Sequence, residues 1–359
     1  MREFRLRQMC LFFIAFLPVT KIFLLPSIYA ELTGSDMWLS SFLNLTLDII
    51  SLTAMLMLWK KFNGMGFYEI IEKSLGKWCA KIIYFVYFLY FLLKAYIPLA
   101  EQKGFIEITL YENTANLLVF SPLFLFGVYL AVKKACVLGR AADVLAFVTI
   151  NGITVLFTLS FGNADFGSIL PIGINGAFNV AKASYYALPW FGDAVYFLFL
   201  MGEIKVEKGY VWKTLTSYFV SGLLVCFFMV LFYSTFSSIA QRQNYALTEI
   251  SKYSTVIYNV GRFDYLGIFC ILLSGIFALS LPVYFASLCF RRVFEVKFKL
   301  LVPTVISLVI FLFVIFTAEK LNTVQNIIQS YLGIFTFILS NVIPVIALLL
   351  RSRRNEKTA

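Results

Sequence analysis

The chain has 359 residues, of which 61% are hydrophobic and 14% are charged, and its formal net charge is +11. A soluble domain carries about 25% charged residues, so this composition excludes a soluble enzyme, a disordered protein and a nucleic-acid-binding protein. An integral membrane protein in a lipid bilayer remains. The apolar runs are long and continuous, whereas a transmembrane barrel alternates apolar and polar residues in segments of about ten. We therefore predict an all-α, polytopic membrane protein.

Ten apolar runs are long enough to cross a bilayer, since a transmembrane helix needs roughly 17–25 residues. They predict a single transmembrane domain over residues 1–359. Lys21 interrupts the first run, which favours a broken first helix over a cleavable signal peptide. The ten predicted spans cover residues 9–30, 37–59, 82–100, 116–132, 143–161, 183–202, 213–236, 264–290, 300–318 and 328–350.

The basic residues predict the orientation of these spans. On this assignment, 22 of the 30 Lys and Arg residues lie on the side of the amino terminus and six lie on the opposite side. Positively charged loops stay in the cytoplasm, so we expect both termini to be cytoplasmic, with residues 351–359 as a basic tail. The net positive charge is then explained by topology and by attraction to anionic lipid.

Two segments outside the spans have recognisable patterns. Residues 64–78 place Phe67, Ile70 and Leu75 on one helical face, which predicts a short amphipathic helix on the cytoplasmic side. Residues 237–262 form the longest external segment and mix polar residues with Tyr, Ile and Val. We expect this segment to fold as a cap over the bundle.

The sequence has no histidine, and its six cysteines are scattered without a paired spacing. Histidine is the commonest general base and a common metal ligand. We therefore predict no enzymatic activity, no metal site and no cofactor. The cysteines are expected to serve apolar packing rather than disulfide bonding.

Spans one and six each carry a proline beside a charged residue, at Leu17–Lys21 and Ala187–Asp193. They are the first helices of two sets of five, residues 1–161 and 183–350, and because five is odd the second set must run inverted. Interrupted helices at matching positions of two inverted repeats indicate a substrate site. Unwinding frees backbone N–H and C=O groups, and the half-helix ends add partial charges of both signs. An amino acid, with its carboxylate and its ammonium, needs both. The alternative is that the prolines serve packing alone.

Apart from the first residues of spans five, seven and eight, four charged residues lie within the spans, namely Lys21, Asp48, Lys94 and Asp193. Each is costly in a membrane and is a functional hypothesis by default. For Lys94 we favour snorkelling to the membrane surface. Asp193 follows the second break, where a helix N-terminus stabilises an anion, and it also suits binding a substrate ammonium or carrying a proton. Asp193 and Asp48 are alternative partners for Lys21.

Spans three and eight offer further candidate lining. Tyr84, Tyr87 and Tyr90 recur every three residues in span three and either line a ligand cavity or pack against neighbours. Small residues between 274 and 282 in span eight leave the same two alternatives. The predicted ligand-binding residues are Val19, Thr20, Lys21, Tyr87, Leu188, Trp190, Gly192 and Asp193.

Several different short motifs are spread over nearly the whole chain. They lie at Ile22–Pro26, Phe67–Ile70, Leu75–Trp78, Tyr129–Ala131, Gly139–Asp143, Asp165–Pro171, Arg262–Asp264 and Pro344. In their order they resemble those of the spore-germination permeases, the B subunits of nutrient germinant receptors in endospore-forming bacteria. The resemblance implies the five-plus-five inverted repeat of the amino acid–polyamine–organocation transporter superfamily. It also implies a lipid-anchored and a larger membrane subunit as partners, in the inner membrane of the spore.

The sequence departs from that family at the first break, where Pro18 and Lys21 stand at positions usually held by glycine. Superfamily transporters often bind a cation beside this break. The resemblance therefore implies that the Lys21 ammonium replaces the cation and makes the protein sodium-independent.

Two functions remain open at this point. The first is a receptor subunit that binds a small nutrient between spans one, three, six and eight and signals by a conformational change. The two charge signs of the site favour an amino acid as this nutrient. The alternative is a proton-coupled amino-acid permease that uses the same site. An ion channel shares this topology but needs a continuous polar pore, for which one chain has too few polar positions and which only an oligomer could supply.

Overall fold

The computed structural model describes residues 4–62, 64–109, 116–243, 245–252, 264–317 and 320–358. Apart from an isolated bridge between Phe4 and Ile204, the regular structure of these residues is helical, which confirms the all-α prediction. The helices are α1 (Leu6–Phe16), α2 (Leu25–Thr33), α3 (Met37–Trp59), α4 (Phe67–Leu75), α5 (Lys77–Thr109), α6 (Asn116–Val132), α7 (Ala135–Ser160), α8 (Gly176–Ala187), α9 (Val195–Leu200), α10 (Tyr210–Phe236), α11 (Ala246–Lys252), α12 (Asp264–Phe294), α13 (Leu301–Thr317), α14 (Leu321–Ile327), α15 (Gly333–Phe337) and α16 (Ile343–Thr358).

Each of the ten predicted spans contains helix in this structure. The predicted spans 37–59 and 116–132 coincide with α3 and α6, whereas α5 and α12 extend past their predicted ends. The count of ten membrane crossings, the cytoplasmic termini and the division into repeats stay predictions. Within the described residues, six segments are long and apolar enough to cross a membrane: Leu25–Phe62, Lys77–Glu107, Ala135–Asn163, Tyr210–Arg242, Tyr265–Phe294 and Thr323–Ser352.

Both predicted helix breaks are present. The first break comprises residues 17–24, between the end of α1 and the start of α2, and it contains Pro18. The second break comprises residues 188–194, between α8 and α9, and begins with one 3₁₀ turn that contains Pro189. Proline removes a backbone donor and clashes with the preceding helical turn, which weakens both helices at these residues.

Helix α12 packs against α5, α6 and α7, while α1 packs against α7 and α10. An aromatic cluster fills the centre, where the Phe91 ring lies 5.0 Å from the Phe199 ring and 5.4 Å from the Phe285 ring. Helices α3 and α10 approach closely because Gly222 leaves room for Leu45. A Cβ atom at Gly222 would lie 2.1 Å from a methyl carbon of Leu45. The packed helices enclose the two breaks.

The two segments predicted outside the spans are helical where they are described. Helix α4 buries Phe67 and Ile70 against α5 and α16, but Leu75 is exposed, so its apolar face belongs to the bundle rather than to the membrane surface alone. The external segment contains a 3₁₀ turn at Ser237–Arg242 and then α11. The rest of the predicted cap, residues 253–262, lies outside the described residues.

Candidate functional site

Lys21 and Asp193 join the two breaks. The Lys21 side chain is fully buried, and its Nζ donates a hydrogen bond to Asp193 Oδ2. The same Nζ lies 3.3 Å from Thr20 Oγ1 and 3.5 Å from the Leu17 carbonyl oxygen. Of the two partners that the sequence left open for Lys21, the structure therefore selects Asp193.

Lys94 from α5 is the second cation on Asp193. Its Nζ donates to the Phe191 carbonyl oxygen in the second break and lies 3.3 Å from Asp193 Oδ1. The prediction that Lys94 snorkels is wrong, because the side chain is only 6% exposed. The physical reason is the break itself, which leaves the Phe191 carbonyl without a helical partner and turns it towards α5.

Asp48 from α3 anchors the backbone of the second break. Its carboxylate accepts the Gly192 backbone N–H, with Oδ2 at 2.9 Å, and also accepts the Tyr218 hydroxyl at 2.6 Å. Gly192 has φ of +85°, and a Cβ atom there would lie 2.4 Å from Ser340 Cβ, so only glycine fits. With Lys21, Lys94 and Asp193, Asp48 completes a buried cluster of two cations and two anions.

The tyrosines of α5 divide between this cluster and a neighbouring helix. The Tyr90 hydroxyl lies 3.4 Å from the Gly192 carbonyl oxygen. The predicted ligand residue Tyr87 instead donates at 2.8 Å to the carbonyl of Leu339, which lies in a π-type turn at Ile338–Val342. Tyr90 thus contacts the second break, whereas Tyr87 ties α5 to that turn.

Glu101 contacts the second break and was not among the predicted site residues. The Trp190 indole N–H donates to Glu101 Oε1 at 2.6 Å, and the carboxyl group is buried. Span three was predicted to end at residue 100, so Glu101 was counted as external. The continuation of α5 to Thr109 is what buries it, and the sequence gives no separate signal for that contact.

A small cavity of about 20 Å³ lies beside the cluster, enough for roughly one water molecule. It is bordered by Thr20, Lys94, Trp190, Asp193 and Pro282, which come from the predicted spans one, three, six and eight. The site is therefore closed in this conformation.

The other predicted residues lie on the breaks or in the packing around them. Val19 is buried in the first break, and Leu188 begins the second break beside Gly333. In span eight, Ser274 hydrogen-bonds Thr149 at 2.8 Å, which supports the packing alternative for that residue.

A family model described as "Spore germination protein" matches residues 6–324, so the chain belongs to that family. A comparison with curated proteins found no match.

The fold is similar to solved structures of a manganese transporter from Eremococcus coleocola. A single-residue variant of that transporter matches with a TM-score of 0.59 and 10% identity, over 96% of this chain and 76% of the transporter. Its complex with an aromatic bis-isothiourea-substituted compound matches with a TM-score of 0.60 and 9% identity, over 94% and 77%. A second variant gives 0.59 and 11%, over 96% and 76%. At this identity the likeness establishes a transporter fold.

Proposed function

We propose that this spore-germination-family membrane protein is the nutrient-binding subunit of a germinant receptor and that its ligand is a small amino acid. The ligand binds between the two helix breaks, at the cluster of Lys21, Lys94, Asp193 and the backbone around Gly192. Binding changes the conformation of the broken helices and passes the signal to a lipid-anchored subunit and a larger membrane subunit. The proposed location is the inner membrane of the spore, with both termini in the cytoplasm.

The observation that carries this proposal is one carboxylate shared by two ammonium groups at the meeting point of both breaks. The two oxygens of Asp193 are divided between Lys21 and Lys94. An amino acid offers one ammonium and one carboxylate. Its ammonium replaces a lysine on Asp193, and its carboxylate pairs with the lysine that is released. Every charge then keeps a partner, as a buried site requires.

Because the cavity is closed, ligand binding requires a change of conformation. A space of about 20 Å³ holds no amino acid, so the ligand binds a more open state of the cluster. A ligand that prefers the open state shifts the population towards it by as much as its difference in affinity for the two states. The Lys21–Asp193 pair holds the resting state closed, and ligand exchange at Asp193 releases it.

The test is equilibrium binding of radiolabelled amino acids to the purified full-length protein, compared with Asp193→Asn. We expect saturable binding of at least one amino acid to the wild type and a loss of affinity of about tenfold or more in the variant. Asp143→Asn is the matched control, because Asp143 pairs with the exposed Arg7 at 3.3 Å outside the site.

A second measurement, made on the wild type alone, tests the proposal even if Asp193→Asn fails to fold. In the wild type, the bound amino acid should change the hydrogen exchange of the backbone over residues 17–24 and 188–194. Absence of saturable amino-acid binding, or binding that leaves both segments unchanged, would refute the proposal.

The second candidate function is a proton-coupled amino-acid permease, which the transporter fold and the buried carboxylate of Asp193 favour. Uptake into proteoliposomes with an imposed proton gradient separates the two. Gradient-driven accumulation of the bound amino acid supports the permease. Binding without accumulation supports the receptor.

A further inference from the structure

An open cleft of about 620 Å³ lies between α1 and α10, near the ends at which both helices begin. A backbone bridge joins Phe4 to Ile204, so the start of α1 and the segment before α10 lie on the same side of the bundle. In the predicted orientation this is the cytoplasmic side. None of the ion-cluster or break residues described above lines the cleft.

The polarity of the cleft changes along its length. Arg7, Cys10 and Ile14 follow one another on one face of α1, and α10 supplies Lys213 and then Val220. Seven residues of helix rise by roughly 10 Å, so the charged side chains and the branched apolar side chains are separated by about that distance. A phospholipid has the same order of groups, with a charged headgroup followed by acyl chains.

The charged end of the cleft, its mouth, carries both signs. Arg7 and Lys213 are positive, Glu207 is negative, and all three side chains are exposed. Within the described part of the chain, neither Lys213 nor Glu207 forms an ion pair. Arg7 contacts Asp143 through one nitrogen at 3.3 Å, which leaves N–H donors of the guanidinium for a ligand. The mouth is therefore equipped for a phosphate and a primary ammonium together.

Trp212 places this mouth at the depth of the lipid headgroups. Its side chain lines the cleft and is 76% exposed. Tryptophan in membrane proteins concentrates at the boundary between hydrocarbon and headgroups, because its ring is amphipathic. The Thr216 hydroxyl, one turn further along α10, adds a donor for a phosphate oxygen.

We propose that this cleft binds a phospholipid whose headgroup carries a primary ammonium, of the phosphatidylethanolamine class. Arg7 and Lys213 bind the phosphate, Glu207 binds the ammonium, and an acyl chain follows the apolar end of the cleft. A purely anionic headgroup would leave the Glu207 carboxylate beside another negative charge. Because α1 precedes the first break, a lipid that bridges α1 to α10 resists displacement of that break.

Cys10 provides the first test, because it lines the cleft and is partly exposed. The purified, delipidated full-length protein is treated in detergent with a water-soluble maleimide, and the labelling of each cysteine is followed by mass spectrometry. The probes are phosphatidylethanolamine, phosphatidylglycerol and phosphatidylcholine with identical acyl chains. We expect phosphatidylethanolamine to slow the labelling of Cys10 about fivefold more than the other two. Cys136, partly exposed at the start of α7, is the internal control and should label at an unchanged rate.

The second experiment assigns the binding to the charges at the mouth. Affinity is read from the lipid concentration that halves the labelling rate of Cys10. Lys213→Gln should lower the affinity for phosphatidylethanolamine about fivefold, because it removes one cation from the phosphate. Glu207→Gln should make phosphatidylglycerol bind at least as tightly as phosphatidylethanolamine. Lys208→Gln and Glu203→Gln are the matched controls, since both side chains are exposed in the same segment and neither lines the cleft.

Four results overturn the proposal. They are labelling of Cys10 that no phospholipid slows, equal protection by phosphatidylethanolamine and phosphatidylglycerol in the wild type, equal slowing at Cys10 and Cys136, and an unchanged lipid preference in Glu207→Gln. Glycerophosphoethanolamine, which has the headgroup without acyl chains, should give no protection at the same concentration, and protection by it would mean that the ligand is not a lipid. The assay contains no amino acid, so this proposal and the one at Asp193 can fail separately.

Discussion

The two breaks satisfy their freed backbone groups in different ways. In the second break, Asp48 of α3 accepts the Gly192 N–H and Lys94 of α5 donates to the Phe191 carbonyl. In the first break, the Leu17 carbonyl accepts the hydroxyl of Thr20 at 3.0 Å, from within the same break. The second break is thus held by neighbouring helices, and the first mainly by its own residues.

This difference indicates which break moves. A buried backbone group needs a partner, and a partner on another helix fixes the segment to that helix. Among the described residues, the ion pair from Lys21 to Asp193 and the 2.9 Å bond from the Ala246 N–H to the Phe23 carbonyl attach the first break to other elements. We therefore infer that opening displaces the first break from a fixed second break.

The largest expected effect is that of Asp193→Asn. This change removes the carboxylate that the ammonium groups of Lys21 and Lys94 both contact, and breaking a buried pair costs about 3–5 kcal/mol. We expect a severe loss of thermal stability in detergent. Lys21→Met should cost less, because Asp193 keeps Lys94, and Lys21→Met/Asp193→Asn should be more stable than Asp193→Asn. If Asp193→Asn unfolds at the wild-type temperature, the cluster has no role in closing the bundle.

The second-largest effect is expected for Asp48→Leu, which removes the carboxylate that anchors the second break. The Gly192 N–H and the Tyr218 hydroxyl lose their acceptor, and each unsatisfied buried group costs about 1–3 kcal/mol. We expect faster hydrogen exchange over residues 188–194 with little change over 17–24. Tyr218→Phe serves as the control, since it removes the hydroxyl but leaves Asp48 on Gly192. Equal acceleration in both breaks would contradict their separate anchoring.

A smaller effect is expected for Thr20→Val in the first break. The substitution keeps the shape of the side chain and removes one hydroxyl, which is worth about 0.5–1.5 kcal/mol. Because the hydroxyl partners of Thr20 among the described residues, Leu17 and Lys21, lie in its own break, exchange should accelerate over residues 17–24 and stay unchanged over 188–194. Thr158→Val on α7 is the matched control, as its hydroxyl also bonds a carbonyl of its own helix. Loss of protection in the second break would show that the two are not held independently.

Much of this architecture could be predicted from the sequence because it depends on local chemistry. A proline beside a charged residue marks both breaks, at Pro18 and Pro189, and both helices are interrupted there. Pro98, Pro122 and Pro282, by contrast, lie within continuous helices, so proline alone does not predict a break. The cost of buried charge likewise predicted that Lys21 needs a carboxylate. The choice between Asp193 and Asp48 was left open, since it depends on which backbone group each carboxylate meets in three dimensions.

The contacts that the sequence did not reveal are those created by the fold. Lys94 was assigned to the membrane surface from its place near the end of a span, but the Phe191 carbonyl that holds it is freed by a break almost a hundred residues away. Glu101 is buried because α5 continues past the predicted end of its span and meets Trp190. Neither contact has a spacing or a motif in the sequence.

The smallest expected effect lies at the end of α12, far from both breaks, where Glu295 meets two lysines of α5. Its Oε1 is 2.9 Å from Lys81 Nζ and 3.2 Å from Lys77 Nζ, and the side chain is 60% exposed. Hydrogen bonds from Lys81 and then Lys77 hold the pKa of Glu295 below its ordinary value. A carboxyl pKa that is lower in the folded than in the unfolded state stabilises the fold at pH values above the ordinary carboxyl pKa of about 4.3. This stabilisation is lost as the pH falls through the folded-state pKa.

We therefore expect Glu295→Gln to lower the melting temperature at pH 7 by at most about 2 °C, because exposed ion pairs contribute little. The difference from wild type should disappear in about 1 M salt, where the Debye length is about 3 Å, and also below pH 3. Glu69→Gln on α4 is the control, an exposed carboxylate without an ion pair in the described part of the chain. A fall of more than about 5 °C, or one that persists in salt, would mean that the α5–α12 junction matters as much as the breaks. Movement would then not be confined to the first break.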